Sequence, residues 1–259
     1  MLSVKWYHSP MEIDFYDKVA EKFGSYSSGV EVIKEFPGED PEERFKSELL
    51  QAAGLGIEAL DVGCADGRFT ISVAPNFKKI TAIDISDGML AAADKLKKET
   101  GIKNVDFRKI DLFYNKYFSD IFEVIYSRRG PTDYLEFERL LVRGGRYVGI
   151  KIGEQDAQGI KEVFGRGQNY GKRNEPALKR DLKELEDVRF NVLYTGEYLY
   201  TEYFKTSADL SNYLERVPIF EDYDPILDRD NLAQYIAEHK TEKGIALQRH
   251  RIVIVAEKK

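Results

Sequence analysis

The sequence predicts an α/β fold built on a parallel sheet, and three observations predict it. Short apolar runs such as Ile57–Val62, Ile80–Ile83 and Phe122–Ser127 alternate with amphipathic stretches that repeat every 3.6 residues. A glycine corner, Gly63-x-Ala65-x-Gly67, follows the first run directly and opens a helix near Asp66. Acidic residues, Asp61, Asp84 and Asp111, stand at the ends of three successive strands.

The bulk properties bound what such a fold can do. At 259 residues the chain holds one large α/β domain with additions, or two small domains. No apolar run approaches the roughly 20 residues that span a bilayer. The opening residues, Met1 to Trp6, lack the apolar core of a signal peptide, so a cytoplasmic protein is expected. Cys64 is the single cysteine and the three histidines are scattered, which disfavours a disulfide framework or a metal centre. The net charge of −6 argues against a protein that grips many phosphates of a nucleic acid.

Residues 1–55 read as a mostly helical cap. Ile13, Phe15, Tyr16, Val19, Ala20 and Phe23 share one helix face, a loop follows at Gly24–Gly29, and a second helix begins at Pro41. The cap is expected either to pack on the sheet edge or to close over a ligand through Tyr16–Gly29.

The first strand and its corner come next. A carboxylate at Asp61, two residues before Gly63, would repel a pyrophosphate and suits a ligand carrying positive charge. The first core helix is expected over Asp66–Phe77 and the second strand over Lys79–Ile85. That strand places Asp84 roughly 20 residues past the glycines, where an acid accepts hydrogen bonds from ribose hydroxyls. A helix over Asp87–Thr100, stopped by Gly101, and a third strand from Val105 to Leu112 follow.

The fourth strand, Phe122–Ser127, ends on Arg128-Arg129-Gly130-Pro131, and Pro131 is expected to start a helix. Arg146–Lys151 reads as a fifth strand and Gln155–Phe164 as a helix. The basic loop Gly165–Arg173 is either a solvated turn or a grip for an anion. Phe190–Tyr200 is the sixth strand and Arg251–Val255 the last. Between them lie two helical patterns, one opened by the capping signal Thr206-x-x-Asp209 and one carrying Leu232, Tyr235, Ile236 and His239. His239 falls on the apolar face and is expected in the core. This insertion leaves the ligand-bearing edge, so it should overhang the site or form an interface.

Asp61 to Gly67, Asp84 and Asp111 together resemble the class I S-adenosylmethionine (SAM) dependent methyltransferases over about Ile57–Tyr200 and the last strand. Ala65 stands where that family's motif has its middle glycine. The resemblance implies a Rossmann-like, seven-stranded sheet with helices on both faces and a reversed last strand. Its SAM-binding domain would comprise residues 56–200 and 248–259, preceded by the cap and interrupted by a helical insertion over 201–247. It implies SAM as cofactor and S-adenosylhomocysteine as product, and the scattered histidines and single cysteine give no expectation of a metal. The cofactor residues it implies are Asp61, Gly63, Cys64, Ala65, Gly67, Asp84, Ile85, Met89, Asp111, Leu112 and Ser127, with Asp111 accepting from the adenine amino group.

Ser127, Arg128 and Arg129 would then stand beside the reacting methyl, as catalytic candidates or as a clamp for a carboxylate or phosphate. No residue declares itself as a general base. An Asn/Asp-Pro-Pro-Tyr/Phe motif after strand four is absent, as is a Pro-Cys nucleophile. A small, anionic methyl acceptor is therefore the leading expectation. An RNA or protein methyltransferase and a non-catalytic SAM-binding protein remain open, and a dehydrogenase is more distant.

Overall fold

The computed structural model describes residues 10–24, 29–114, 121–171 and 175–259. Expectations that fall on Met1–Trp6, on Ser25–Ser28 and on Lys172–Arg173 lie outside the described residues. No helix among the described residues is long and apolar enough to cross a membrane.

Five parallel strands form one side of the sheet: β2 (Gly54–Val62), β3 (Phe77–Asp84), β4 (Val105–Lys109), β5 (Phe122–Arg128) and β6 (Leu141–Ile152). The long β9 (Gly244–Lys258) runs antiparallel to β6, and β7 (Phe190–Phe204) runs antiparallel to β9. The seven pair in the order β4-β3-β2-β5-β6-β9-β7, with the last strand in sequence reversed, as expected of the Rossmann-like class.

Among the described residues the sheet has nine strands rather than seven, because the cap and the insertion each add a short one. A short β1 (Val32–Glu35) pairs antiparallel with β7 and becomes the edge, and the two-residue β8 (Lys240–Thr241) pairs with β9. Val32 and Lys34 carry too few apolar neighbours to signal a strand in isolation. Pairing with the partly buried end of β7 makes them one.

The helices divide between the two faces. On one face, α2 (Pro41–Gln51) and α3 (Arg68–Val73) bury Phe45, Leu49 and Val73 against Ala59, Ile80 and Val124. On the other, α5 (Tyr134–Leu140) and α7 (Ala177–Asp187) bury Phe137, Leu140 and Leu185 against Leu60, Ile125 and Ile254. Two local expectations shift. The first core helix is shorter than Asp66–Phe77, because its last turn is a 3₁₀ turn over Ala74–Asn76 and Phe77 already belongs to β3. The helix after β5 begins at Tyr134 rather than Pro131, because the Asp133 side chain accepts from the Glu136 amide as its cap.

The cap's first helix, α1 (Pro10–Phe23), packs on α4 (Asp87–Thr100) through Phe15, Val19, Ala20 and Met89. Ser86 caps α4, accepting from the Met89 amide at 3.1 Å and donating to Asp17 of α1 at 2.5 Å. Gly88 lets the two helices approach, since a Cβ there would lie 2.7 Å from that of Ala20.

The strands of the last hairpin run further than Tyr200 and Arg251. Beyond β6 they continue as a two-stranded arm from Phe204 and Gly244 inward, joined by β1. The arm carries α8 (Ser207–Leu214), opened by the Thr206/Asp209 capping box, and α9 (Arg229–His239). With α6 (Gln158–Phe164) they form a separate apolar cluster around Phe164, Leu210, Phe220, Tyr235 and Leu247. The inserted helices therefore occupy 207–239, with the expected 201–247 boundaries falling inside the strands. His239 stacks on Tyr235 at 4.1 Å and bonds its carbonyl at 3.0 Å.

Candidate active site at the strand tips

The corner after β2 is shaped by backbone that side chains would obstruct. Gly63 has φ +78°, and a Cβ there would sit 3.0 Å from Gly130 Cα. Gly67, at φ +71°, would place a Cβ 2.6 Å from the Phe107 ring. Ala65 also adopts a left-handed φ of 46°, so its methyl carries a cost of about 1–2 kcal/mol that glycine would avoid. The Gly63 and Cys64 amides are held by the Ile83 carbonyl at 2.9 and 3.1 Å.

Three carboxylates surround this corner. Asp61 is 2% exposed and accepts from the Thr70 hydroxyl at 2.6 Å. Burial pushes its carboxyl up to about 7, against the Thr70 hydrogen bond that favours the charged form. Asp84 accepts from the amides of Ala65 (2.9 Å), Ile85 (2.8 Å) and Ser86 (3.0 Å), which lock the corner to the end of β3. Asp66 pairs with Arg68 at 2.7 Å. Cys64 is buried, and burial pushes its thiol up, so it is unsuited to act as a nucleophile.

A cavity of about 830 Å³ opens from the corner across the strand tips. Asp61, Gly63, Cys64, Ala65, Asp84, Ile85, Met89 and Leu112 line it, as do Arg128 and Arg129. Gly67, Asp111 and Ser127 are not among its walls. Gly67 is turned against Phe107 and Ala93. Asp111 caps its own turn, accepting from the Phe113 amide at 2.9 Å, while Ile110, Leu112 and Phe113 face the cavity. Ser127 donates to the Val62 carbonyl at 3.1 Å and ties the tip of β5 to that of β2.

The two arginines after β5 converge on Glu42 of α2, at 2.7 Å from Arg128 Nε and 3.7 Å from Arg129 Nε. Burial works to raise the Glu42 carboxyl, but Arg129 and Arg128 outweigh it and hold it at about 2. The clamp expected of these arginines is thus closed on a carboxylate of the chain itself. Among the described residues of the basic loop, Arg166 is also committed. Arg166 bonds Asp228 at 2.8 Å and Asp222 at 3.2 Å, leaving Gln168 and Asn169 of that loop on the cavity wall.

The far half of the cavity rests on one face of the β7–β9 arm. Register places Tyr200 beside Arg249 and Lys34 beside Glu202, so these side chains point the same way. Arg249 and Arg251, both fully buried, reach the Asp156 carboxylate at 2.9 and 2.6 Å. Arg249 also meets Glu202 at 2.9 Å. Burial works to raise Asp156, yet Arg249 and Arg251 hold its carboxyl well below the usual range. Lys151, at the tip of β6, bonds Asp181 at 2.7 Å, and burial pushes its ammonium down.

Glu42, Lys151, Asp156, Glu202 and Arg249 went unmarked in the sequence. The available signal was charge interrupting an apolar strand, as in Arg249-His250-Arg251 ahead of Ile252–Val255. Beyond the corner, nine basic side chains line the cavity against five acidic ones, so this half is net positive. The corner itself is net negative, with Asp61, Asp66 and Asp84 against Arg68. That donor set fits a positively charged adenosyl donor and would repel a pyrophosphate. Among the described residues no group of three or more His, Cys, Asp or Glu is placed to hold a metal ion.

Residues 59–145 match the family model described as a methyltransferase domain. No curated protein sequence matches the chain. Among solved structures, a functionally unknown protein from Deinococcus radiodurans R1 is similar with a TM-score of 0.63 at 17% identity, covering 95% of this chain and 100% of its own. A protein from Bacillus halodurans C-125, provisionally described as a methyltransferase, gives 0.59 at 19%, covering 82% and 97%. Geranyl diphosphate methyltransferase, in complex with GPP and sinefungin, gives 0.57 at 15%, covering 98% and 100%. Residues 59–145 are thus similar to a methyltransferase domain, and most of the chain shares the fold of these solved structures.

Proposed function

We propose that the protein transfers the methyl group of SAM to a small, anionic acceptor. One observation carries the reading: a single cavity joins an acidic, glycine-built corner to a basic wall. Its 830 Å³ lies within the range of small-molecule sites. The like-folded geranyl diphosphate methyltransferase, by its name, also acts on an anionic small molecule.

SAM would supply a sulfonium methyl already activated for in-line displacement. The residues of this chain would supply binding and orientation. Asp84, held by three amides at the corner, offers its carboxylate to the ribose hydroxyls. Asp61 places negative charge beside the amino-acid end of the cofactor, and Ile85, Met89 and Leu112 give an apolar seat to the adenine. Asp111, Gly67 and Ser127 would act one step back, by fixing the turns that carry these walls. Alignment of donor and acceptor can remove about 7–11 kcal/mol of barrier without any acid or base.

The test is calorimetric. SAM and S-adenosylhomocysteine should both bind the purified chain, and Asp84→Ala should weaken that binding at least tenfold, about 1.4 kcal/mol. Unchanged affinity in Asp84→Ala would remove the ribose assignment. No binding of either compound to the wild-type chain would remove the whole reading.

A further inference from the structure

We propose that Arg216 is the seat for the acceptor's anionic group, and that the acceptor carries an apolar body beside it. This rests on reading the cavity as a methyltransferase site. The cavity's other arginines face carboxylates of the chain itself. Arg68 meets Asp66, Arg128 and Arg129 meet Glu42, and Arg249 and Arg251 meet Asp156. Arg180 forms no ion pair among the described residues, but it stands in the field of Glu154 and Glu184.

Arg216 is different. It lines the cavity at the end of α8, and no carboxylate forms an ion pair with it among the described residues. Its Nε is buried without a hydrogen-bond acceptor. A half-buried guanidinium with an unanswered donor is costly unless something enters to meet it.

The slot that holds Arg216 is built. Its guanidinium carbon lies 3.7 Å from the centroid of the Phe23 ring at the end of α1. It also rests against Gly29, where a Cβ would come within 2.6 Å of that carbon. Lys22 of α1 pairs with Glu215, the residue before Arg216, so the cap and the insertion meet at this point. Stacking fixes the plane of the fork before any ligand arrives, which favours a planar carboxylate or a phosphate. The cavity wall continues into Val217, Pro218 and Ile219, with Val32 of β1 also lining it. The matching ligand is therefore an amphipathic small acid.

The proposal is tested by titrating sodium octanoate and inorganic phosphate, at constant ionic strength, into the full chain saturated with S-adenosylhomocysteine. Octanoate should bind at least tenfold more weakly to Arg216→Gln, with S-adenosylhomocysteine affinity changed less than twofold. Phe23→Leu, which removes the stack and keeps the charge, should weaken octanoate binding several-fold. Equal octanoate binding by wild type and Arg216→Gln overturns the proposal. So does binding of neither anion by a chain that still takes S-adenosylhomocysteine, and that result leaves the methyltransferase reading standing. Phosphate bound without octanoate overturns the apolar part. A chain that binds no S-adenosylhomocysteine defeats the underlying reading and the proposal with it.

Discussion

Asp61 shows how one residue can trade stability for a site. Its carboxyl is raised from an ordinary value of 3.8 to about 7 by burial, so the folded chain keeps a proton that the unfolded chain has released. Folding stability consequently declines as pH rises from about 4 to about 7 and is level above that window. Asp61→Asn removes the slope, and thermal melting at pH 7.5 should show a higher midpoint than wild type. Binding should move the other way. The charged form suits a cationic donor, so SAM affinity should rise between pH 6 and pH 8 in wild type and be weak and flat in the Asn variant. A variant that binds as tightly as wild type at pH 8 would show that Asp61 serves only the Thr70 hydrogen bond.

At the scale of elements, the last hairpin holds the insertion by a buried ionic joint. Asp156 lies between β6 and α6, while Arg249 and Arg251 lie on β9 and Glu202 on β7. Removing the shared carboxylate leaves two fully buried guanidinium groups short of a partner. Asp156→Ala should cost about 3–5 kcal/mol, read as a lower urea midpoint. Because Arg249 and Arg251 depress this carboxyl, its contribution is complete above the ordinary carboxylate range and fades as pH falls below it.

The contrast with the corner explains what the sequence discloses. Gly63, Gly67 and Asp84 lie within one βαβ unit, so their spacing along the chain encodes their spacing in space. The same locality makes the caps of α4 and α8 readable, since each is closed by a side chain three residues away. Asp156, Glu202 and Arg249 come from elements far apart in sequence, and pairing of β9 with β6 on one side and β7 on the other brings them together. Asp111 shows the complementary limit. Its position is that of a site residue, but its nearest amide donor is two residues on, and it turns there.

For the whole molecule, the charge pattern matters more than the total. A net charge of −6 coexists with a basic cavity wall, because the acidic excess lies outside the cavity lining. Such a chain repels polyanions at long range while accepting a small anion at short range. Transfer RNA should therefore show no retention even at low salt, and strong salt-sensitive retention would favour the nucleic-acid alternative.

The pairing of Val32 with Phe204 has a consequence for how the protein is made. A ribosome delivers the earlier segment first, yet the β1 strand has no partner until β7 has emerged. Until then the edge of β1 is open to proteases and chaperones. Shortened translation products ending before Phe190 should be cut within Val32–Glu35, where the finished molecule resists.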